Sequence, residues 1–185
     1  MSEPRTALVL IDVIEAFFRP GASTYYEATA DVLPPLRALL DAARGRGTLV
    51  VHAVERHRPG LDDFEWRKLP RHNEAGTDEA AYVTGFEPSG EREVEVPKRR
   101  YSAFYATDLD LLLREQRVER LVLAGVKTNV CVRATAQDAF AGGFETWVVG
   151  PATNSNRPHL AAASLEDIDR YFGRVVGLDE GIAAL

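Results

Sequence analysis

Asp12, Lys98 and Cys131 are the side chains whose types combine into one chemistry, attack by a sulfur nucleophile. A thiol with an ordinary pKa near ~8.5 is mostly protonated at neutral pH, and a helix N-terminus or a nearby cation lowers that value. The run Gly125-Val126-Lys127-Thr128-Asn129-Val130-Cys131 brings the thiol to a helix start by a sharp strand-to-helix turn. Such a turn leaves backbone N–H groups free for an oxyanion. Lys98 would supply the cation. Asp12 could accept the thiol proton and return it to a leaving amine. Each residue also has a plainer reading. A lone Cys after a strand is usually a small buried hydrophobe, an Asp there can cap a turn, and a Lys is usually solvated.

The elements that must position these groups alternate between two periods. Ala7 to Ile11, Thr48 to Val54, Glu93 to Pro97, Leu121 to Ala124, Thr146 to Val149 and a segment beginning at Val175 read as strands. Asp31 to Arg46, Asp108 to Gln116 (with Thr107 as N-cap), Asn129 to Ala141 and His159 to Tyr171 read as helices. Residues 57–84 have no sustained period and read as a long loop with a short helix near Glu79. Loops of that length are uncommon and often functional. Short apolar strands alternating with helices predict an α/β three-layer sandwich, a parallel sheet with helices on both faces. Ligands bind such sheets outside the carboxyl ends of the strands. Asp12, Lys98 and Cys131 fall at or just past the ends of the first, third and fourth strands, on one rim if those strands are neighbours.

Composition excludes other classes. The 185 residues, 45% hydrophobic, suit one domain spanning 1–185. One cysteine permits neither an internal disulfide nor a CxxC-type zinc site. A net charge of -6, with Lys98-Arg99-Arg100 as the densest basic run, argues against nucleic acid. No apolar run reaches the ~18 residues of a membrane span, and the N-terminus lacks a signal-peptide pattern. The expectation is a cytoplasmic protein acting on a small molecule, with no nucleic-acid or membrane partner.

Three segments then become recognisable. LVLIDVIEAFF, KRRYSAFYATDLDLLL and LVLAGVKTNVCVRATAQDAFAGGF resemble, in order, the first-strand, lysine and nucleophile motifs of the isochorismatase-like cysteine hydrolases. The resemblance covers about residues 5 to 177. It implies a six-stranded parallel sheet and a homo-oligomer, a dimer or tetramer. It implies Cys131 as nucleophile, Asp12 as proton acceptor and Lys98 as third catalytic member. It further implies a non-proline cis peptide at Val126–Lys127, with the amides of Lys127 and Cys131 as oxyanion hole. The chain departs from the common pattern at Ile14, where a polar residue is usual, and at Gly150-Pro151, where an Asp often ends the strand.

The motifs look most like the branch acting on ureido, biuret and N-carbamoyl compounds. The expected activity is therefore thioester-forming hydrolysis of a C–N bond in a small amide, ureido or carbamoyl compound. Alternatives are a nicotinamidase-type amidase, an isochorismatase-type vinyl-ether hydrolase, and a non-catalytic binding protein on this fold. Nicotinamidases carry an Asp-x-His with a distant His for a metal. Here Glu55-x-His57 with His72 has zinc-compatible donors, but Arg56, Arg58, Arg67 and Arg71 oppose a cation. The histidines are read as solvated or structural, with no metal or cofactor assigned. Phe17, Phe18, Trp66, Tyr101 and Phe104 fall near the rim. Phe18 and Tyr101 are expected to touch substrate, and Asn154 and Ser155 to hydrogen-bond it.

Overall fold

A computed structural model describes residues 4–185. Six strands form one sheet: β1 (Thr6–Ile11), β2 (Leu49–Glu55), β3 (Glu93–Lys98), β4 (Arg120–Val126), β5 (Glu145–Asn154) and β6 (Arg174–Val176). Their order is β3-β2-β1-β4-β5-β6, and every pairing is parallel. The order reverses between β1 and β4, which opens a crevice at their carboxyl ends.

The strand period of two divides the apolar residues between two cores. Leu8, Leu10, Val50, Val54 and Val122 pack against Leu36, Leu39 and Leu40 of α2 (Leu33–Arg46). Leu178 and Ile182 of the last helix join that face. Val9, Ile11, Val51, Leu121 and Leu123 face Leu109 and Leu113 of α3 (Leu109–Glu115) and Ala136 and Ala139 of α4 (Arg133–Ala141). Helices thus cover both faces of a buried parallel sheet, as the sequence predicts. No helix among the described residues is long and apolar enough to cross a membrane.

Local differences have physical causes. Strand β5 continues through Gly150-Pro151 to Asn154, beyond the expected end at Val149. A register shift against β4 between Leu123 and Gly125 absorbs the proline, which cannot donate to a ladder. The expected helix from Asn129 begins as a π-helical turn, Thr128–Val132, before α4. Thr107 caps one residue early, its Oγ1 accepting from the Leu109 N–H at 3.3 Å. The 57–84 loop holds two 3₁₀ turns, Phe64–Arg67 and Asp78–Ala80.

Candidate active site

The β1 strand ends by releasing Asp12 into a left-handed conformation (φ 54°), uncommon for a residue with a Cβ. Its carboxylate is fully buried and fixed from two sides. Oδ1 accepts from the Glu55 N–H at 2.8 Å, and Oδ2 accepts from Lys98 Nζ at 2.8 Å. Lys98 ends β3, two strands away from β1, so about 10 Å of sheet separates their backbones. Only a long side chain spans that gap, and Lys98 does so wholly inside the protein. Its ammonium also lies 3.6 Å from Cys131 Sγ. Asp12, Lys98 and Cys131 therefore meet at one point, although β3 and β1 are not neighbours.

The Cys131 turn is held from beneath. Gly125 (φ 121°) lets β4 lie against β1; a Cβ there would sit 2.0 Å from the Ile11 carbonyl oxygen. The Val126–Lys127 peptide is cis. The Lys127 carbonyl accepts from the Val130 and Val132 N–H groups at 3.0 and 3.2 Å. Thr128 is pinned to β5 by a 2.8 Å hydroxyl contact with Thr153.

Burial dominates the ionisation of this cluster. It raises Asp12 above the usual carboxylate range, with Lys98 pulling the other way. It raises Cys131 well above the usual thiol range, again against Lys98. Burial also pushes Lys98 down, but Asp12, Cys131 and Glu55 outweigh it and hold the ammonium charged. The sequence reading, a thiol lowered by its cation and helix end, is corrected here. Desolvation of the buried Cys131 outweighs the ammonium.

The thiol opens into a cavity of about 180 Å³, lined by Phe17, Glu55, Glu65, His72, Tyr101 and Lys127 among others. Tyr101 lies where the sequence expects it. Phe18 does not: it packs on the α2 side of the core, and Phe17 lines the cavity instead. Both sit in the single turn α1 (Glu15–Phe18), where adjacent residues point about 100° apart. Asn154 and Ser155 are likewise corrected. Asn154 accepts from the Tyr26 hydroxyl at 2.8 Å and donates to the Ala28 carbonyl, and Ser155 accepts from the Arg157 N–H at 3.1 Å. They fasten loops and do not line the cavity. Trp66 meets His57 at a tilt of 57°, 5.2 Å between ring centroids, and Phe104 meets Phe144 at 33° and 5.9 Å.

Of the two readings of the histidines, solvated or structural, burial removes the first. His57 and His72 are buried, and with Glu55 and Glu65 they offer ligand atoms all within 4.8 Å of one another. The flanking arginines do not cancel this set. Arg56 turns to the Ala80 carbonyl and Glu95, Arg71 to Glu74, and Arg67 lies over Phe64. Arg58 lines a separate surface cleft with Arg99 and Arg100. Glu55 Oε1, both His57 nitrogens and both Glu65 oxygens are buried without an aligned hydrogen bond. The 3.1 Å approach of His57 Nδ1 to Asp63 and the 3.4 Å approach of Nε2 to Glu55 are ion-pair distances only. Two imidazoles and two carboxylates with unmet donors and acceptors fit a divalent transition metal. Glu65 escaped the sequence reading, because a Glu in a charged aperiodic loop carries no local signal. Burial and Glu55 push its pKa up to about 7.

The isochorismatase domain profile matches residues 6–180. The chain belongs to this family. It is 36% identical over 98% of its length, and 87% of the relative's, to a maleamate amidohydrolase of Pseudomonas putida. It is 33% identical to a probable inactive nicotinamidase of Arabidopsis thaliana, over 88% of this chain and 87% of that one. A solved isochorismatase-like hydrolase from Alkaliphilus metalliredigens superposes with a TM-score of 0.90 at 33% identity, covering 97% of this chain and 98% of that one. Family membership accounts for the six-stranded parallel α/β architecture.

Proposed function

We propose that this protein is a cysteine-dependent amidohydrolase that cleaves a C–N bond in a small amide, ureido or carbamoyl compound. The observation that carries this reading is the buried Lys98 ammonium, bonded to Asp12 at 2.8 Å and 3.6 Å from the thiol. The kinship to a maleamate amidohydrolase supports it. Residues 1–185 are read as one catalytic domain working in a homo-oligomer in the cytoplasm.

Asp12 takes the Cys131 proton as sulfur bonds to the substrate carbonyl carbon. Lys98 keeps a positive charge beside both groups throughout, so no isolated anion forms in the buried site. The carbonyl electron pair moves to oxygen, which the Lys127 and Cys131 amides receive. As the pair returns, the C–N bond breaks and Asp12 hands its proton to the departing nitrogen. Water then attacks the thioester and Asp12 accepts its proton. The acid leaves and the proton returns to sulfur. Glu55, His57, Glu65 and His72 would hold a divalent metal, which when bound supplies a Lewis acid at the cavity wall.

Ammonia release from maleamate, biuret, nicotinamide and N-carbamoyl amino acids tests the reading. Wild type is expected to release ammonia from at least one of them, and folded Cys131→Ala from none. Equal release by a folded Cys131→Ala would overturn the covalent scheme. Release by neither protein from any of the four would count against the amidohydrolase reading.

A further inference from the structure

The cavity contains one cation with no ion-pair partner among the described residues, and this names a substrate class. Lys98 is committed to Asp12, whereas Lys127 lines the cavity wall with no hydrogen bond or ion pair to its ammonium among the described residues. Its side chain is half-buried, between the Tyr26 and Phe17 rings at 5.2 and 5.9 Å from their centroids. Arg157, at the start of the following helix, also lacks a carboxylate partner among the described residues. Burial holds Lys127 below its ordinary range; the charges of Cys131 and Glu55 pull it back up, and the like charge of Arg157 pushes it down again. A half-buried cation without a counter-ion is the less stable for it, and an incoming anion restores what burial removes.

We infer, on the amidohydrolase reading above, that the substrate carries a carboxylate beside its scissile amide, and that Lys127 is the residue that selects it. At about 180 Å³ the cavity lies below the ~300 Å³ at which drug-sized sites begin, so both groups belong to one compact molecule. Glu55, Glu65 and His72 of the same cavity belong to the cluster that would hold a metal, which leaves Lys127 as the lining cation outside that cluster and the seat for the anion. Lys127 thus has two parts to play: its backbone N–H faces the developing oxyanion, and its side chain reads the far end of the substrate.

The test pairs a binding arm with a turnover arm. Maleate, the dicarboxylate that maleamate hydrolysis yields, and neutral maleamide are titrated calorimetrically into wild type, Lys127→Met and Lys127→Arg. Circular dichroism confirms the fold of each. Maleate is expected to bind wild type more tightly than maleamide, to weaken about 10- to 100-fold in Lys127→Met, and to be largely retained in Lys127→Arg. In turnover, the wild-type kcat/KM ratio of maleamate to maleamide is expected to exceed about 10, mostly through KM, and to collapse toward 1 in Lys127→Met. If Lys127→Met does not fold, Lys127→Gln and the wild-type ratio carry the same test. Equal binding of maleate and maleamide by wild type, or maleate binding unchanged in Lys127→Met, would overturn the inference. Lysine-dependent maleate binding without ammonia release from any amide would leave it standing and sink the amidohydrolase reading. Release with no preference for the anion would do the reverse.

Discussion

Lys98 and Asp12 bring opposite charges to one sulfur, so replacing each is expected to move thiol reactivity in opposite directions. Lys98 Nζ lies 3.6 Å from Sγ. Unit charges at that separation, at an effective dielectric near 20, interact by about 5 kcal/mol. This is the field that opposes burial at Cys131. In Lys98→Met the field is gone. Asp12, buried and without its cation, takes up a proton, so part of the opposing charge leaves too and the net effect is smaller than the full Coulomb value. The expected result is a fall of about tenfold or more in the iodoacetamide rate at pH 8. Asp12→Asn keeps the side-chain shape but removes the anion, and leaves the ammonium wholly on sulfur. The pH midpoint of alkylation, which reads the ionisation of the thiol and not the proton carrier, is expected to fall, whereas in Lys98→Met it rises. Amide turnover should collapse in both variants, since one loses the cation and the other the proton carrier. Cys131 is the only cysteine, so intact-mass counting of alkylation reads one site. Each variant breaks a buried pair and is expected to lose about 3–5 kcal/mol of stability. Rates are therefore measured at low temperature on protein whose circular dichroism matches wild type. Shifts of the same sign in both variants, or none in either, would refute the assignment of thiol ionisation to this pair.

Two further predictions concern the frame. Gly125→Ala places a Cβ 2.0 Å from the Ile11 carbonyl oxygen at a φ of 121°, and is expected to destabilise by several kcal/mol, read as a lower urea midpoint. Glu93 is pulled down to about 2: burial would raise it, but Arg44, the Ser89 N–H and His52 outweigh burial. Its side chain is only 4% exposed in that pair. A depressed carboxylate stabilises above its unfolded value near ~4.5 and loses that contribution, about 3 kcal/mol, as pH falls toward 2. Burial depresses His52 as well, so its contribution starts to fade below about 6.5. Glu93→Gln should therefore flatten the melting temperature between pH 5 and 3, and an unchanged acid slope would contradict the pairing.

Much of this was legible in the residues. Continuous apolar runs in β1, β2 and β4 marked buried parallel strands, and strand ends located Asp12, Lys98 and Cys131 on one rim. The rest depended on three-dimensional facts with no local signature. Nothing in KRRYSAF tells that Lys98 must reach across β2. Nothing in a one-turn helix tells which of Phe17 and Phe18 faces the cavity. The low pKa expected of Cys131 counted the cation and the helix end but not the desolvation of a buried sulfur. In sequence His57 and His72 sit among arginines, whereas in space those arginines take other partners and Glu65 turns in. Asn154 and Ser155 occupy the expected place after β5 but spend their polar groups on Tyr26, Ala28 and Arg157.

The most direct test of covalent catalysis is a rapid acid quench of enzyme with maleamate, followed by intact-protein mass spectrometry. A hydroxylamine arm collects the acyl group if deacylation is fast. An acyl adduct on Cys131 and hydroxamate formation with hydroxylamine are expected in wild type, and neither in Cys131→Ala. Sustained ammonia release with no adduct and no hydroxamate, matched by folded Cys131→Ala, would contradict covalent catalysis.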